Sequence, residues 1–202
     1  MAKHSGPFGD PRVRHDAFFK KARAEGFAAR SVYKLDEIDR RLRLLRPGYR
    51  VLDLGCCPGS WSQYALRSVG PHGAVVGIDR HALPRPIPEA RILVADIHAT
   101  TDAELLGGLA AFDVVLSDMA PDTTGVRSAD QARSANLFGE ALERALRLLA
   151  PGGAFVGKLF QGPDFEATRK RMQQRFAEVK VIKPESSRAQ SFEIFLAGKG
   201  FG

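Results

Sequence analysis

Four ionisable residues sit where a chain seldom carries charge without a use for it. Asp118 closes the apolar run AFDVVLSD (111–118), Lys158 interrupts GAFVGKLF (153–160), and Glu193 lies in SFEIFLAG (191–198). Lys34 falls in the early segment RSVYKLDEI. An ionised group in an apolar strand is costly unless it is paired, or unless its side chain reaches solvent or a ligand. Turned toward one pocket, two acids and two lysines would titrate as a coupled group able to hold or move a proton. Taken singly, each also reads as a salt bridge at the edge of a sheet.

A second stretch with chemical potential is VLDLGCCPGSWSQ (51–63). A strand ends at Gly55, and a Gly/Pro turn leads straight into a helix, an arrangement that lets backbone approach a ligand closely. Asp53 lies in that strand and suits holding the loop or meeting the positive end of a ligand. Asp79 ends AVVGID, 24 residues beyond Gly55, near the position of a ribose-binding acid. Asp96 ends RILVAD, where it can accept a hydrogen bond from an adenine amino group. Each acid alone also reads as a polar cap on a strand end. Three of them along one sheet edge point to a nucleoside cofactor. The glycines fall short of GxGxxG, so a pyrophosphate cradle is incomplete. S-adenosylmethionine is a nucleoside cofactor that needs none.

The elements that must position these residues follow from periodicity and turn signals. The first ten residues, rich in Gly and Pro, read as a loose arm, followed by a short basic helix over 14–25. Ser31 opens a helix to about Leu45, with Leu35, Ile38, Leu42 and Leu45 on one face and Pro47-Gly48 as its stop. Strands are expected at 50–55, 74–79, 91–96, 111–118, 153–160, 178–183 and 191–198. Helices are expected at 60–69, 129–149 and 164–176. Strands separated by helices imply a doubly wound, Rossmann-like α/β fold with a mostly parallel seven-stranded sheet. The last two strands are joined too closely for a crossover and should pair antiparallel. Residues 1–30 read as a flexible basic arm with a short helix, and 31–202 as one domain.

Charge is unevenly distributed. Residues 1–50 hold 13 of the 30 Lys and Arg but 6 of the 23 Asp and Glu, while the remainder holds 17 of each sign. The whole net charge of +7 therefore lies in the first quarter. That is the electrostatic pattern of a polyanion-binding segment, or of a solvated helical face. No apolar run approaches a membrane span, and the N-terminus lacks a secretory signal's apolar core. The only cysteines, Cys56 and Cys57, are adjacent, which disfavours both a disulfide and a zinc site. A reducing cytoplasm suits them, no metal is expected, and no obligate protein partner is indicated.

Over residues 14–198 the sequence resembles the bacterial heat-shock FtsJ (RrmJ) family, 2'-O-methyltransferases of large-subunit ribosomal RNA. The resemblance rests on DAFFKKARAEGFAARSVYKLDEI, VLDLGCCPGSWSQ, LSDMAPDTTG, APGGAFVGKLFQG and, most specifically, KPESSRAQSFEIF. It implies a Lys-Asp-Lys-Glu catalytic tetrad at Lys34, Asp118, Lys158 and Glu193. It implies S-adenosylmethionine contacts at Gly59, Trp61, Asp79, Asp96 and Asp118, with Gly55 in the same loop. Where the family commonly has PGGW, this chain has Pro58-Gly59-Ser60-Trp61. Serine is well suited to a helix start, so a preserved loop is expected.

The resemblance also implies roles. Lys158 lies nearest a uridine 2'-hydroxyl, as base or as an orienting group. Asp118 orients Lys158 and faces the methionine part of the cofactor. Glu193 positions a lysine or a substrate hydroxyl, and Lys34 can instead hold phosphate or ribose. Arg12, Arg14, Lys20, Lys21, Arg23, Arg30 and, near the site, Arg188 are the expected phosphate contacts. With no appended RNA-binding domain, the expected partner is the large ribosomal subunit and its RNA. A tRNA or other RNA, or a noncatalytic RNA-binding role, are the alternatives.

Overall fold

A computed structural model describes residues 11–187 and 191–202, with side chains from Ala17 onward. Helices α1 (Pro11–Ala24) and α2 (Val32–Leu42) precede strand β1 (Arg50–Leu54), helix α3 (Ser60–Val69), and strands β2 (Ala74–Asp79) and β3 (Arg91–Val94). Helix α4 (Asp102–Leu106), strand β4 (Phe112–Ser117), helix α5 (Arg127–Leu148) and strand β5 (Leu149–Phe160) follow. Helix α6 (Phe165–Gln173) and strands β6 (Phe176–Ile182) and β7 (Glu193–Phe201) close the chain. The sheet order is β3-β2-β1-β4-β5-β7-β6, and only β7 runs antiparallel to its neighbours. This is the expected Rossmann-like architecture. The strand order reverses between β1 and β4, so the ligand crevice belongs beyond their carboxyl ends.

Period-2 alternation sorts the strands onto two cores. Val51, Val114, Leu116, Val156 and Phe195 pack under α2 and α3, against Leu35, Ile38, Trp61 and Ala65. Leu52, Leu54, Val115, Phe155 and Leu196 pack on the other face, against Leu105, Phe138, Leu142 and Met172 of α4, α5 and α6. Stepping by two along each strand then carries Asp53, Asp118, Lys158 and Glu193 to the α2/α3 face. Strand parity alone thus gathers groups that are far apart in sequence.

Some boundaries differ from the sequence reading. The helix expected to reach Leu45 stops at Leu42, because Arg43 turns left-handed (φ 52°) and the Asp39 carboxylate accepts from the amides of Leu44 and Leu45. Ser31 does not cap it: its backbone is already helical and its hydroxyl points elsewhere. Strand β3 ends at Val94, leaving Asp96 two residues beyond it. The short helix α4 was missed, although Thr101 and Glu104 form the reciprocal capping pair that marks such a start in sequence. Strand β5 begins at Leu149, four residues early, through an irregular pairing with β4 near Phe112.

Gly157, next to Lys158, lies at a tightly packed point of the sheet. A Cβ there would sit 2.7 Å from Phe138 Cε2 and 2.8 Å from Phe155 Cζ, and both rings are fully buried. Gly157→Ala should therefore destabilise the fold by about 1–3 kcal/mol. Urea denaturation reads this directly, and an unchanged midpoint would mean the two rings can yield.

Candidate functional site

The four charged residues meet at the carboxyl ends of β4 and β5. Lys158 is 7% exposed. Its ammonium donates to the Asp118 carbonyl oxygen at 2.5 Å and forms an ion pair with Asp118 Oδ1 at 2.9 Å. Lys34 Nζ lies 2.6 Å from Glu193 Oε1 and 4.0 Å from Asp118 Oδ1, so Asp118 joins the two lysines. The Ser187 hydroxyl donates to Glu193 at 3.2 Å, and the Phe195 ring lies 5.8 Å from the Lys34 ammonium. Two cations alternate with two anions in a partly buried cluster, which offsets the desolvation each would suffer alone.

Lys34 reaches the cluster through a link that periodicity does not reveal. The Ser31 carbonyl accepts from Trp61 Nε1 at 2.9 Å and from the Lys34 amide at 3.0 Å. The Ser31 and Ser60 hydroxyls lie 2.8 Å apart. The first turn of α2 is thereby fastened to the first turn of α3. Ser60, which replaces the family's second glycine, supplies half of this clasp. Trp61 is buried against Phe195 at 5.7 Å, so its indole is a structural anchor and its backbone is what the loop presents.

The glycine loop is shaped by close approach. Gly55 has φ 75°, and a Cβ on it would come within 2.5 Å of Met119 Cγ. Gly59 has φ 107° at the start of α3, a conformation L side chains rarely adopt. Asp79 fixes the loop by accepting from the Cys57 amide at 3.0 Å and from the His81 amide at 2.8 Å. Asp96 accepts from the His98 amide at 2.8 Å through Oδ1, in the turn that follows β3. Between these two acids Val94 is 57% exposed, an apolar surface at the carboxyl end of β3. Burial pushes the Cys56 and Cys57 thiols up, so neither is a ready nucleophile.

Asp53 lies beneath this loop, 1% exposed. Its Oδ2 accepts from the Ser62 hydroxyl at 2.7 Å, while Oδ1 is buried without a donor. Asp118 Oδ1 is likewise buried without an aligned hydrogen bond. Asp118 Oδ1 is held instead by the Lys158 ammonium at 2.9 Å, so of the two carboxylates flanking the switch point Asp53 alone has an oxygen without a partner among the described residues.

The expected RNA contacts are only partly within view. Lys20, Lys21 and Arg23 are exposed on α1, which docks through Ala22 against Val32 and Tyr33. Lys21 also approaches Glu25 at 3.9 Å and the Tyr33 ring at 4.9 Å. Arg30 is half-buried between α1 and α2. The side chains of Arg12 and Arg14 lie outside the described ones, and Arg188 lies outside the described residues altogether.

Residues 27–201 match the family model of FtsJ-like methyltransferases. A ribosomal RNA large subunit methyltransferase E from Sorangium cellulosum is 52% identical over 190 residues, covering 94% of this chain and 89% of its own. That of Syntrophobacter fumaroxidans is 50% identical, with 91% and 94% covered. A crystal structure described as a ribosomal RNA methyltransferase from Plasmodium falciparum superposes with a TM-score of 0.78 at 27% identity, covering 87% of this chain and 98% of that one.

Burial raises the Asp53 carboxyl from 3.8 to about 7, against the lowering effect of the Ser62 hydrogen bond. The folded protein then holds a proton that the unfolded chain releases. Stability from this group is full below about pH 4, falls as pH rises, and levels off above about 7. The steepest slope for one proton is about 1.4 kcal/mol per pH unit. Asp53→Asn should flatten this part of the profile and be relatively more stable than wild type at pH 8 than at pH 5. Parallel urea profiles for the two proteins across that range would contradict it.

Proposed function

Because the chain belongs to the FtsJ-like methyltransferase family, we propose that it moves the methyl group of S-adenosylmethionine to the 2'-hydroxyl of a uridine in large-subunit ribosomal RNA, on the assembled subunit. The observation that carries this reading is the Lys158–Asp118 pair, recessed at the switch point with Lys34 and Glu193 beside it. The curated relatives' names favour large-subunit RNA over tRNA.

The crevice suits the cofactor chemically. S-adenosylmethionine, when bound, supplies an electrophilic methyl on a cationic sulfonium, together with an α-ammonium. Asp118, at the end of β4 and partly exposed, is an anionic partner for that positive charge, with Asp53 buried behind the loop. Gly55, Gly59 and the Trp61 backbone shape the wall, Asp79 suits the ribose hydroxyls, and Asp96 with Val94 suits the adenine edge and face.

The chain's own task is to present the acceptor oxygen in line and to handle its proton. The new O–CH3 bond forms as the C–S bond breaks, and the hydroxyl proton must leave. Lys158 faces that hydroxyl. In its neutral form it takes the proton; in its charged form it can only orient the oxygen. Asp118 holds the Lys158 amine in place through carbonyl and carboxylate. Glu193 keeps Lys34 beside the acceptor ribose. Exposed Lys20, Lys21 and Arg23 on α1 supply phosphate contacts away from the chemistry.

Lys158→Ala should leave cofactor affinity nearly intact and slow single-turnover methyl transfer to the large subunit by roughly 10²- to 10⁴-fold. Lys158→Arg should fail as well, because a guanidinium stays protonated. Activity retained by arginine but not alanine would replace proton abstraction with electrostatic orientation. Near wild-type rates in both would remove Lys158 from the mechanism.

A further inference from the structure

A stacked A-form helix shows its 2'-hydroxyls along a wide, shallow minor groove, a surface that does not enter a recess. The ammonium is recessed, so the acceptor nucleotide must swing out, and its neighbour loses a stacking partner. A surface at the rim that replaces this stacking would lower the cost of binding.

Such a surface exists on the side of the sheet opposite the tetrad. Phe192 immediately precedes Glu193 and is 44% exposed. Its carbonyl accepts from the Gln161 amide at 2.9 Å, which fixes it to the end of β5. Its ring turns toward α5, where the Arg127 guanidinium lies 4.1 Å from the ring centroid. Scattered exposed apolar residues need no explanation. This one is stacked with a guanidinium and stands one residue from the tetrad.

The stack is held by a continuous seam. Along one face of α5, Gln131 donates to the Gln161 carbonyl at 2.6 Å, Ser134 accepts from the Phe160 amide at 2.9 Å, and Phe138 packs on Phe155 at 5.5 Å. Arg127 extends this face by one turn to the surface. The loop before it is pinned by Asp130, which accepts from the Thr124 amide and hydroxyl and from the Gly125 amide at 2.8, 2.9 and 3.2 Å. Among the described residues, neither the Phe192 ring nor the Arg127 guanidinium touches a tetrad side chain; Phe192 anchors the strand start through its backbone carbonyl alone.

We propose that Phe192 and Arg127 form a binding site for the nucleotide adjoining the acceptor, with the ring stacking on its base and the guanidinium neutralising a phosphate. This rests on the reading that the acceptor is RNA. Adjacent residues at a strand end project to opposite faces, so the ring lies beside the acceptor position rather than in it. An aromatic face with a cation beside it suits any nucleobase, so the site adds affinity more than sequence preference.

The test is steady-state methyl transfer to undermodified large subunits by the full chain, with salt varied. Phe192→Ala should raise KM for the subunit roughly tenfold while kcat at saturation and cofactor affinity stay close to wild type. Phe192→Trp should restore KM, which a merely structural role for the ring would not produce. Arg127→Ala should flatten the dependence of log KM on log salt by about one. If the wild type methylates subunits and these folded variants keep its KM and salt slope, the contact is overturned and the functional reading stands. If the wild type transfers no methyl to any subunit or RNA, that reading fails and the contact falls with it.

Discussion

Burying the Lys158 ammonium in a strand is the constraint around which the site is arranged. Its neighbours in β5, Val156 and Leu159, lie in the two apolar cores. An uncompensated cation there would cost several kcal/mol. Asp118 answers with a carbonyl and a carboxylate, which requires β4 to end where it does and β5 to pair beside it in register. The antiparallel return of β7 then brings Glu193 opposite Phe160, two residues beyond Lys158, and Lys34 completes the alternation of charge. The antiparallel strand is therefore tied to the site: a parallel one in its place would present a different end of the chain.

The second dependence runs through Ser31. Its carbonyl serves Trp61 and Lys34 together, and its hydroxyl meets Ser60. The helix that carries Lys34 and the glycine loop are thus fastened to each other. Asp53 of β1 is buried beneath that loop, and Asp118 at the end of β4 is held by Lys158. The elevated Asp53 carboxyl shows how strongly that region is shielded from water.

Much of this was legible in the sequence for a simple reason. Parity along a strand is fixed, so Leu116-x-Asp118, Val156-x-Lys158 and Glu193-x-Phe195 already announce that three ionisable side chains share a face with known core positions. The sheet followed from alternating strand and helix patterns, and the antiparallel end from a short connection. What was not legible depended on contacts between distant segments or on local competition. Asp39 ended α2 early by capturing two amides, a choice that helical periodicity cannot reveal. Ser31 reads as a cap by residue type but is drawn into a tertiary clasp. The exposure of Val94 follows from the position of β3 at the sheet edge, which the strand pattern RILVAD does not specify. The Arg127–Phe192 stack joins residues 65 positions apart, and neither is remarkable alone.

In the proposed reaction S-adenosylmethionine supplies a methyl group to a ribose oxygen whose proton is handled by Lys158, recessed at the switch point. The most direct test is to incubate the wild-type chain with S-adenosylmethionine and large subunits lacking the modification, then map the product by mass spectrometry of the digested RNA. One added methyl is expected on the ribose of a single large-subunit uridine, with a 2'-O-methyl linkage that resists alkaline cleavage. A methyl group on a base, on protein or on tRNA alone would contradict it.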